Sequence, residues 1–134
     1  MKTASKLTIL LVTALLASGE ASAQNWPTRS VRVIVPFTPG GGVDIVARAI
    51  AQKLQDNLGQ PFVIDNRAGA GSNIGIEAAV TSAPDGYTLL VASSAIAINP
   101  SIYKVLRYDP LNDLAPISLT SVVPLVLVTS PNLA

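Results

Sequence analysis

The run Val31–Asp44, VRVIVPFTPGGGVD, constrains this chain more than any other: a short apolar strand runs into a Pro-bounded triple glycine and then opens onto a helix. The N–H groups of a helix's first turn lack intrahelical partners and the helix dipole adds positive potential there, so such a turn is suited to hold an anion. Glycine permits positive φ and lets a ligand approach the main chain. Val31–Phe37 is β-branched and nearly continuous in apolar residues, as a strand covered on both faces should be. Val43, Val46, Ile50, Leu54 and Leu58 then recur at three and four, marking one face of a helix that Gly59 and Pro61 end. Phe62–Asp65 reads as a second strand, and Gly69–Ser72 turns into a second helix over about Asn73–Ser82. Pro84-Asp85-Gly86 signals a turn before a third strand, Tyr87–Ala92. This β-α-β-α-β order with short links predicts an α/β fold, a parallel sheet with right-handed crossovers. Further on, Pro100–Tyr103 reads as a helical turn and Tyr108-Asp109-Pro110 as the start of a loop. Ile117–Val123 and Leu125–Val128 read as two strands, or as one strand interrupted at Pro124.

Residues 1–23 have the form of a cleavable signal peptide: Lys2 and Lys6, the apolar stretch Leu7–Ala17, then Ala21-Ser22-Ala23. An uncleaved anchor is the alternative, but that stretch gives only ~16 Å of helix at ~1.5 Å per residue, about half the hydrocarbon core. No Cys follows, so nothing points to a lipid anchor. The chain carries nine Lys and Arg against eight Asp and Glu; without Lys2, Lys6 and Glu20 seven of each sign remain. A mature chain so balanced has no basic surplus for nucleic acid or an anionic membrane. Positive potential must then come locally, from backbone amides or single arginines. The absence of Cys and His excludes disulfides, thiol nucleophiles, Ser-His-Asp triads and the usual zinc sites.

A second glycine-rich loop, Asn66–Gly75 (NRAGAGSNIG), also links a strand to a helix. Two such loops would lie side by side at the carboxyl edge of one sheet, where open α/β sheets bind ligands. Gly69, Gly71 and Gly75 miss the dinucleotide spacing, no acid stands at the end of Tyr87–Ala92 to hold a ribose, and Gly40–Gly42 lacks the Lys-Ser/Thr of a P-loop. A nucleotide-binding α/β enzyme domain is thus disfavoured as the alternative function. Asp44 is open to two readings, a chemical role or a structural one, since an acid in a first helical turn with Arg48 at i+4 is favourable by itself. Asp65 with Arg67 suits either a solvated pair or carboxylate binding, and Ser72 and Asn73 suit helix capping. Ser93 and Ser94 either face a ligand or close a turn.

The segments WPTRSVRVIVPFTPGGGVDIVARAIAQKLQDNLGQPFVIDNRAGAGSNIGIEAA, PDGYTLLVAS, AINPSIYKVLRYDPLNDLAPIS and PLVLV together resemble the N-terminal part of the Bug-type substrate-binding receptors of tripartite tricarboxylate transporters. The resemblance runs from Trp26 onward. It rests on four motifs in order, P-F-x-P-G-G-x-x-D, N-R-x-G-A-G-x-N-I-G, P-D-G-Y-T-L-L and N-P-x-[ILV]-Y-K. It implies a periplasmic solute receptor, not an enzyme, with a two-lobed Venus-flytrap fold of the type II periplasmic-binding kind. Such receptors catch a small carboxylate between lobes and deliver it to membrane permease subunits; the family's ligands extend from di- and tricarboxylates to amino acids and aromatic acids. Carried over to this sequence, the resemblance places Phe37, Thr38, Gly41, Gly42, Val43 and Asp44 of the first loop at the ligand. The second loop adds Ala70, Gly71 and Asn73, and the third strand end adds Ser93 and Ser94. The ligand carboxylate is met largely by main-chain amides and waters, so no cofactor or metal is implied.

Residues 24–134 are accordingly expected to form the N-terminal portion of a receptor: one three-layer parallel-sheet lobe and the start of a crossover to a second. The expected fold is incomplete, with weak or absent binding by half a cleft, and a partial or degraded gene copy is the alternative. The leader pattern makes one prediction at once. A product recovered from the periplasm begins at Gln24, which intact-mass measurement checks; a product retaining Met1 would identify an anchor.

Overall fold

The computed structural model describes residues 25–124, 126 and 128–130, so the expected signal peptide lies outside the described residues. The chain runs β1 (Val31–Val35), α1 (Gly42–Leu58), β2 (Phe62–Asn66), a 3₁₀ turn (Ala70–Ser72), α2 (Asn73–Val80), β3 (Thr88–Leu90) and α3 (Ala95–Ile102). The three strands form one parallel sheet in the order β2-β1-β3, with Val31 opposite Phe62 and Arg32 opposite Thr88. Since β1 is central, the chain steps to one side of it through α1 and to the other through α2. Right-handed crossovers in opposite directions put the two helices on opposite faces, giving three layers.

The continuous apolar run of β1 follows from that placement. Val31, Val33 and Val35 share a core cluster with Ala47 and Ala51 of α1 and Phe62 of β2. On the other face Ile34 and Ile76 are fully buried, and α2 packs on β1 and β3. Burial on α1 centres on Ala47 and Ala51, not on the larger residues of the expected stripe. Two small side chains let the helix approach the sheet closely, so Val43 and Leu54 flank the contact half-buried and Leu58 is exposed. Gly59 ends α1 in the left-handed region at φ 70°, its N–H donating to the Gln55 carbonyl at 2.9 Å.

Several expected boundaries shift. β1 ends at Val35 because Pro36 cannot donate to the ladder. β3 is confined to Thr88–Leu90, although Tyr87 O accepts from Arg32 N and Val91 N donates to Ile34 O at its two ends. α2 stops at Val80, where the Thr81 and Ser82 hydroxyls donate back to the Glu77 and Ala78 carbonyls. The helical turn expected at Pro100–Tyr103 is the end of a longer helix, Ala95–Ile102, which absorbs Pro100. The expected strand Ile117–Val123 does not form: that stretch is irregular and Ile117, Leu119, Val122 and Val123 are exposed. A strand exists only by pairing, and among the described residues nothing joins the outer edge of β3. Of the expected strand Leu125–Val128, Leu125 and Leu127 lie outside the described residues, while Val126 and Val128 are exposed and irregular.

Gly75 fixes the distance between α2 and the end of β1. A Cβ there would stand 2.6 Å from Pro36 Cβ and 2.8 Å from both Pro36 Cα and the Arg67 carbonyl, so the helix would have to retreat. Gly75→Ala is expected to lower stability by about 1–3 kcal/mol through overpacking, as read from urea unfolding. An unchanged midpoint would show that α2 is free to shift.

Candidate functional site

The loops after all three strands meet at the carboxyl edge of the sheet, beside the point where chain direction reverses on either side of β1. In the first, Gly40 takes a left-handed φ of 82° and Gly41 is the extended N-cap of α1, without a side-chain cap. Asp44, 1% exposed, folds back: its Oδ2 accepts from Gly40 N at 2.8 Å and from Arg48 Nε at 2.8 Å, and its Oδ1 from Asn66 Nδ2 at 2.8 Å. Asn66 Nδ2 also donates to the Phe37 carbonyl at 3.1 Å, while its Oδ1 accepts from Arg48 at 3.0 Å. One buried carboxylate and one amide thus tie the first loop, α1 and the end of β2 together. The structural reading of Asp44 is the one its contacts carry.

This arrangement leaves the helix N-terminus available. Ile45 N donates to Gly41 O, but the amides of Gly42, Val43 and Asp44 have no acceptor among the described residues. Arg48 balances the charge of Asp44, so the carboxylate does not cancel the positive potential of the helix end. Gly42 has neither a conformational nor a packing reason to be glycine: its φ is not left-handed and a Cβ would meet nothing within 4 Å. A glycine unexplained from within suits close approach from outside.

The second loop is left-handed over three consecutive residues, Ala70 (φ 46°), Gly71 (φ 61°) and Ser72 (φ 81°). The conformation costs about 1–2 kcal/mol at each non-glycine residue, so surrounding contacts must hold it. Ser72 N donates to Gly69 O at 3.0 Å, and Asn99 Nδ2, from α3, donates to Gly71 O at 2.8 Å. The same Nδ2 donates to Asn73 Oδ1 at 2.6 Å, and Tyr108 Oη donates to that oxygen at 2.7 Å. Asn73, Asn99 and Tyr108 are 5%, 4% and 7% exposed.

Of the expected site residues, Thr38, Gly42, Ala70, Gly71 and Ser94 are exposed at this edge, and Phe37, Gly41, Val43 and Ser93 are half-buried. Asp44 and Asn73 are buried and held by protein groups. Neither Ser72 nor Asn73 caps α2 with its side chain, because Ser72 is left-handed and Asn73 is committed to Asn99 and Tyr108. Ser93 closes a turn, its Oγ accepting from Ala95 N at 3.2 Å. Asp65 accepts from both Arg32 and Arg67 on the sheet; partial burial pushes its carboxyl up, and the two guanidiniums more than reverse that. The residues that hold the loops, Asn66, Asn99 and Tyr108, were not among those expected at the ligand. Their signal lay in the motifs themselves, where Asn66 opens the second loop and Asn99 opens N-P-S-I-Y-K. One depression, lined by Arg29, Asp85 and Tyr87, lies away from this edge; another, lined by Arg48, Gln52 and Phe62, runs beside α1 and β2.

Residues 46–134 match the tripartite tricarboxylate transporter family receptor. The chain is 50% identical over 127 residues to BugT of Bordetella pertussis, covering 93% of this chain and 39% of the relative. Among solved structures it is similar to MatC from Rhodopseudomonas palustris with bound malate, at 37% identity and a TM-score of 0.61, over 71% of this chain and 33% of that one. It is also similar to an R. palustris protein solved with adipate, at 44% identity and a TM-score of 0.62, over 64% of this chain and 29% of that one. The chain spans about two fifths of the length of the curated relatives it matches.

The Arg48 guanidinium above all, with the Gly40 N–H and the Asn66 amide, holds the Asp44 carboxyl far below the usual carboxylate range. Its folded pKa lies below the unfolded value of about 3.9, so its stabilisation is full above about pH 5 and fades as pH falls through the acid range. Asp44→Asn is therefore expected to lower the urea midpoint at pH 7 and to flatten the loss of stability between about pH 5 and 2. Parallel pH profiles for the two proteins would show that the carboxylate is not so held.

Proposed function

The chain belongs to the tripartite tricarboxylate transporter receptor family, and on that premise we propose that its glycine-loop edge is one wall of a cleft that captures a small carboxylate. On this reading the chain is exported to the periplasm, its leader is removed after Ala23, and residues 24–134 form the N-terminal portion of a receptor whose second lobe supplies the opposite wall. The loaded receptor hands its ligand to membrane permease subunits. The observation that carries the reading is the N-terminus of α1: three amides without acceptors among the described residues, the first of them that of Gly42, a glycine with no internal reason to be one. Backbone donors and a helix dipole suit an anion without a net positive charge, and the left-handed loop at Ala70–Ser72 lies alongside. The ligands named for two relatives, malate and adipate, carry this chemistry. Phe37, Thr38, Gly41, Gly42, Val43, Ala70, Gly71, Ser93 and Ser94 then line the wall, Asp44 supports it, and Asn73 contributes from below.

One wall encloses only part of a ligand, so titration by nuclear magnetic resonance, which reads weak binding, suits the test. Malate and adipate are expected to shift the Gly42, Val43 and Asp44 amides, and nucleotides are not. Gly42→Val places its side chain in open space, so it should fold normally and weaken carboxylate binding by about tenfold or more, while Gly42→Ala gains up to about 1 kcal/mol of stability. Nucleotide binding without carboxylate binding, or undiminished affinity in Gly42→Val, would overturn the reading.

A further inference from the structure

The N-P-S-I-Y-K motif and Tyr108 have no part in the wall itself, yet both close on the second loop. Asn99 holds the Gly71 carbonyl, and the Tyr103 hydroxyl stands 2.5 Å from where a Gly71 Cβ would be. The Asn99–Asn73–Tyr108 network also has a fixed polarity. A carbonyl only accepts, so the Asn99 group facing Gly71 O is Nδ2; the Asn73 atom facing the same Nδ2 is then its acceptor Oδ1, onto which Tyr108 also donates. Both lone pairs of Asn73 Oδ1 are used. Its Nδ2 has no acceptor among the described residues. Since no fully buried side-chain nitrogen or oxygen among those residues lacks a partner, that NH₂ is the part of a nine-tenths-buried side chain that opens outward.

We propose that Asn99 and Tyr108 are positioning residues that lock the Asn73 amide with its NH₂ outward, so that this side chain offers a ligand donors alone and selects a carboxylate over its neutral amide. The selectivity rests on the carboxylate-binding reading of this edge; the lock itself does not. A carboxylate has only acceptors to set against the Asn73 NH₂ and the backbone N–H groups. An amide brings an NH₂ of its own, which meets donors and loses its hydrogen bonds to water. Without the lock the Asn73 amide can turn and present its oxygen, which repels the anion.

The test uses the full chain, labelled for nuclear magnetic resonance, with adipate and its neutral diamide adipamide as probes. Adipate is expected to shift the Asn73 side-chain NH₂ pair in the wild type. Tyr108→Phe is expected to weaken adipate binding by about fivefold while leaving adipamide binding unchanged. In ligand-free Asn99→Asp the new carboxylate accepts only, so the Asn73 NH₂ turns inward and its exchange with water slows by about tenfold. Adipate binding that leaves the Asn73 NH₂ unmoved, or equal affinities in Tyr108→Phe, overturns the inference and leaves the carboxylate reading standing. A wild type that binds nucleotides but neither malate nor adipate overturns that reading and with it the selectivity. The exchange measurement then decides the lock by itself: unchanged exchange in a folded Asn99→Asp, or in Tyr108→Phe unchanged signals at both Asn73 and Gly71, shows that no lock exists.

Discussion

A carboxylate withdrawn from water must receive hydrogen bonds in exchange, and Asp44 receives them from Gly40, Arg48 and Asn66. Those donors belong to the loop after β1, the second turn of α1 and the last residue of β2. Satisfying one buried anion therefore sets the position of three segments at once. Asn66 extends the constraint to Phe37, so the path of the first loop depends on the end of the neighbouring strand. Because Arg48 shares the charge, the internal carboxylate leaves the helix end its positive potential.

The second loop depends on a similar exchange with neutral groups. Left-handed Ala70 and Ser72 are costly by themselves, and the Gly71 carbonyl, the Asn73 amide, Asn99 and Tyr108 form the closed network that holds them. Gly75 matters for a different reason: it lets α2 meet Pro36, which brings that loop up against the first. Both loops supply backbone and amide donors without net charge. Neutral donors on a rigid edge allow binding without the salt sensitivity of a basic patch.

Legibility followed the range of the interactions. The strand from Val31 and the helix closed by Gly59 were readable because their signals, β-branched runs and a helix-ending glycine, act within a few residues. The buried stripe of α1 was read on its large residues, whereas Ala47 and Ala51 make the closest approach; periodicity marks a face but not how near another layer comes. The segment Ile117–Val123 had the composition of a strand without a pairing edge. Composition cannot supply an edge. At the site, the Asp44–Arg48 pair was legible from its i+4 spacing, while the Asn66, Asn99 and Tyr108 contacts span up to 35 residues and had no local signature.

By itself, then, the sequence determined the order of strands and helices as far as the third strand, the two glycine loops, the lack of thiol and imidazole chemistry, and motifs specific enough to mark the receptor family. These depend on which residues are present and on neighbours within a turn or a strand. Only the tertiary structure decided which glycines answer to the fold and which face outward, that Asp44 supports the loop it sits in, and which edge of the Asn73 amide is left open. Each of those depends on a group brought near by the packing of separate elements, and a hydrogen bond's polarity is settled only when both partners are in place.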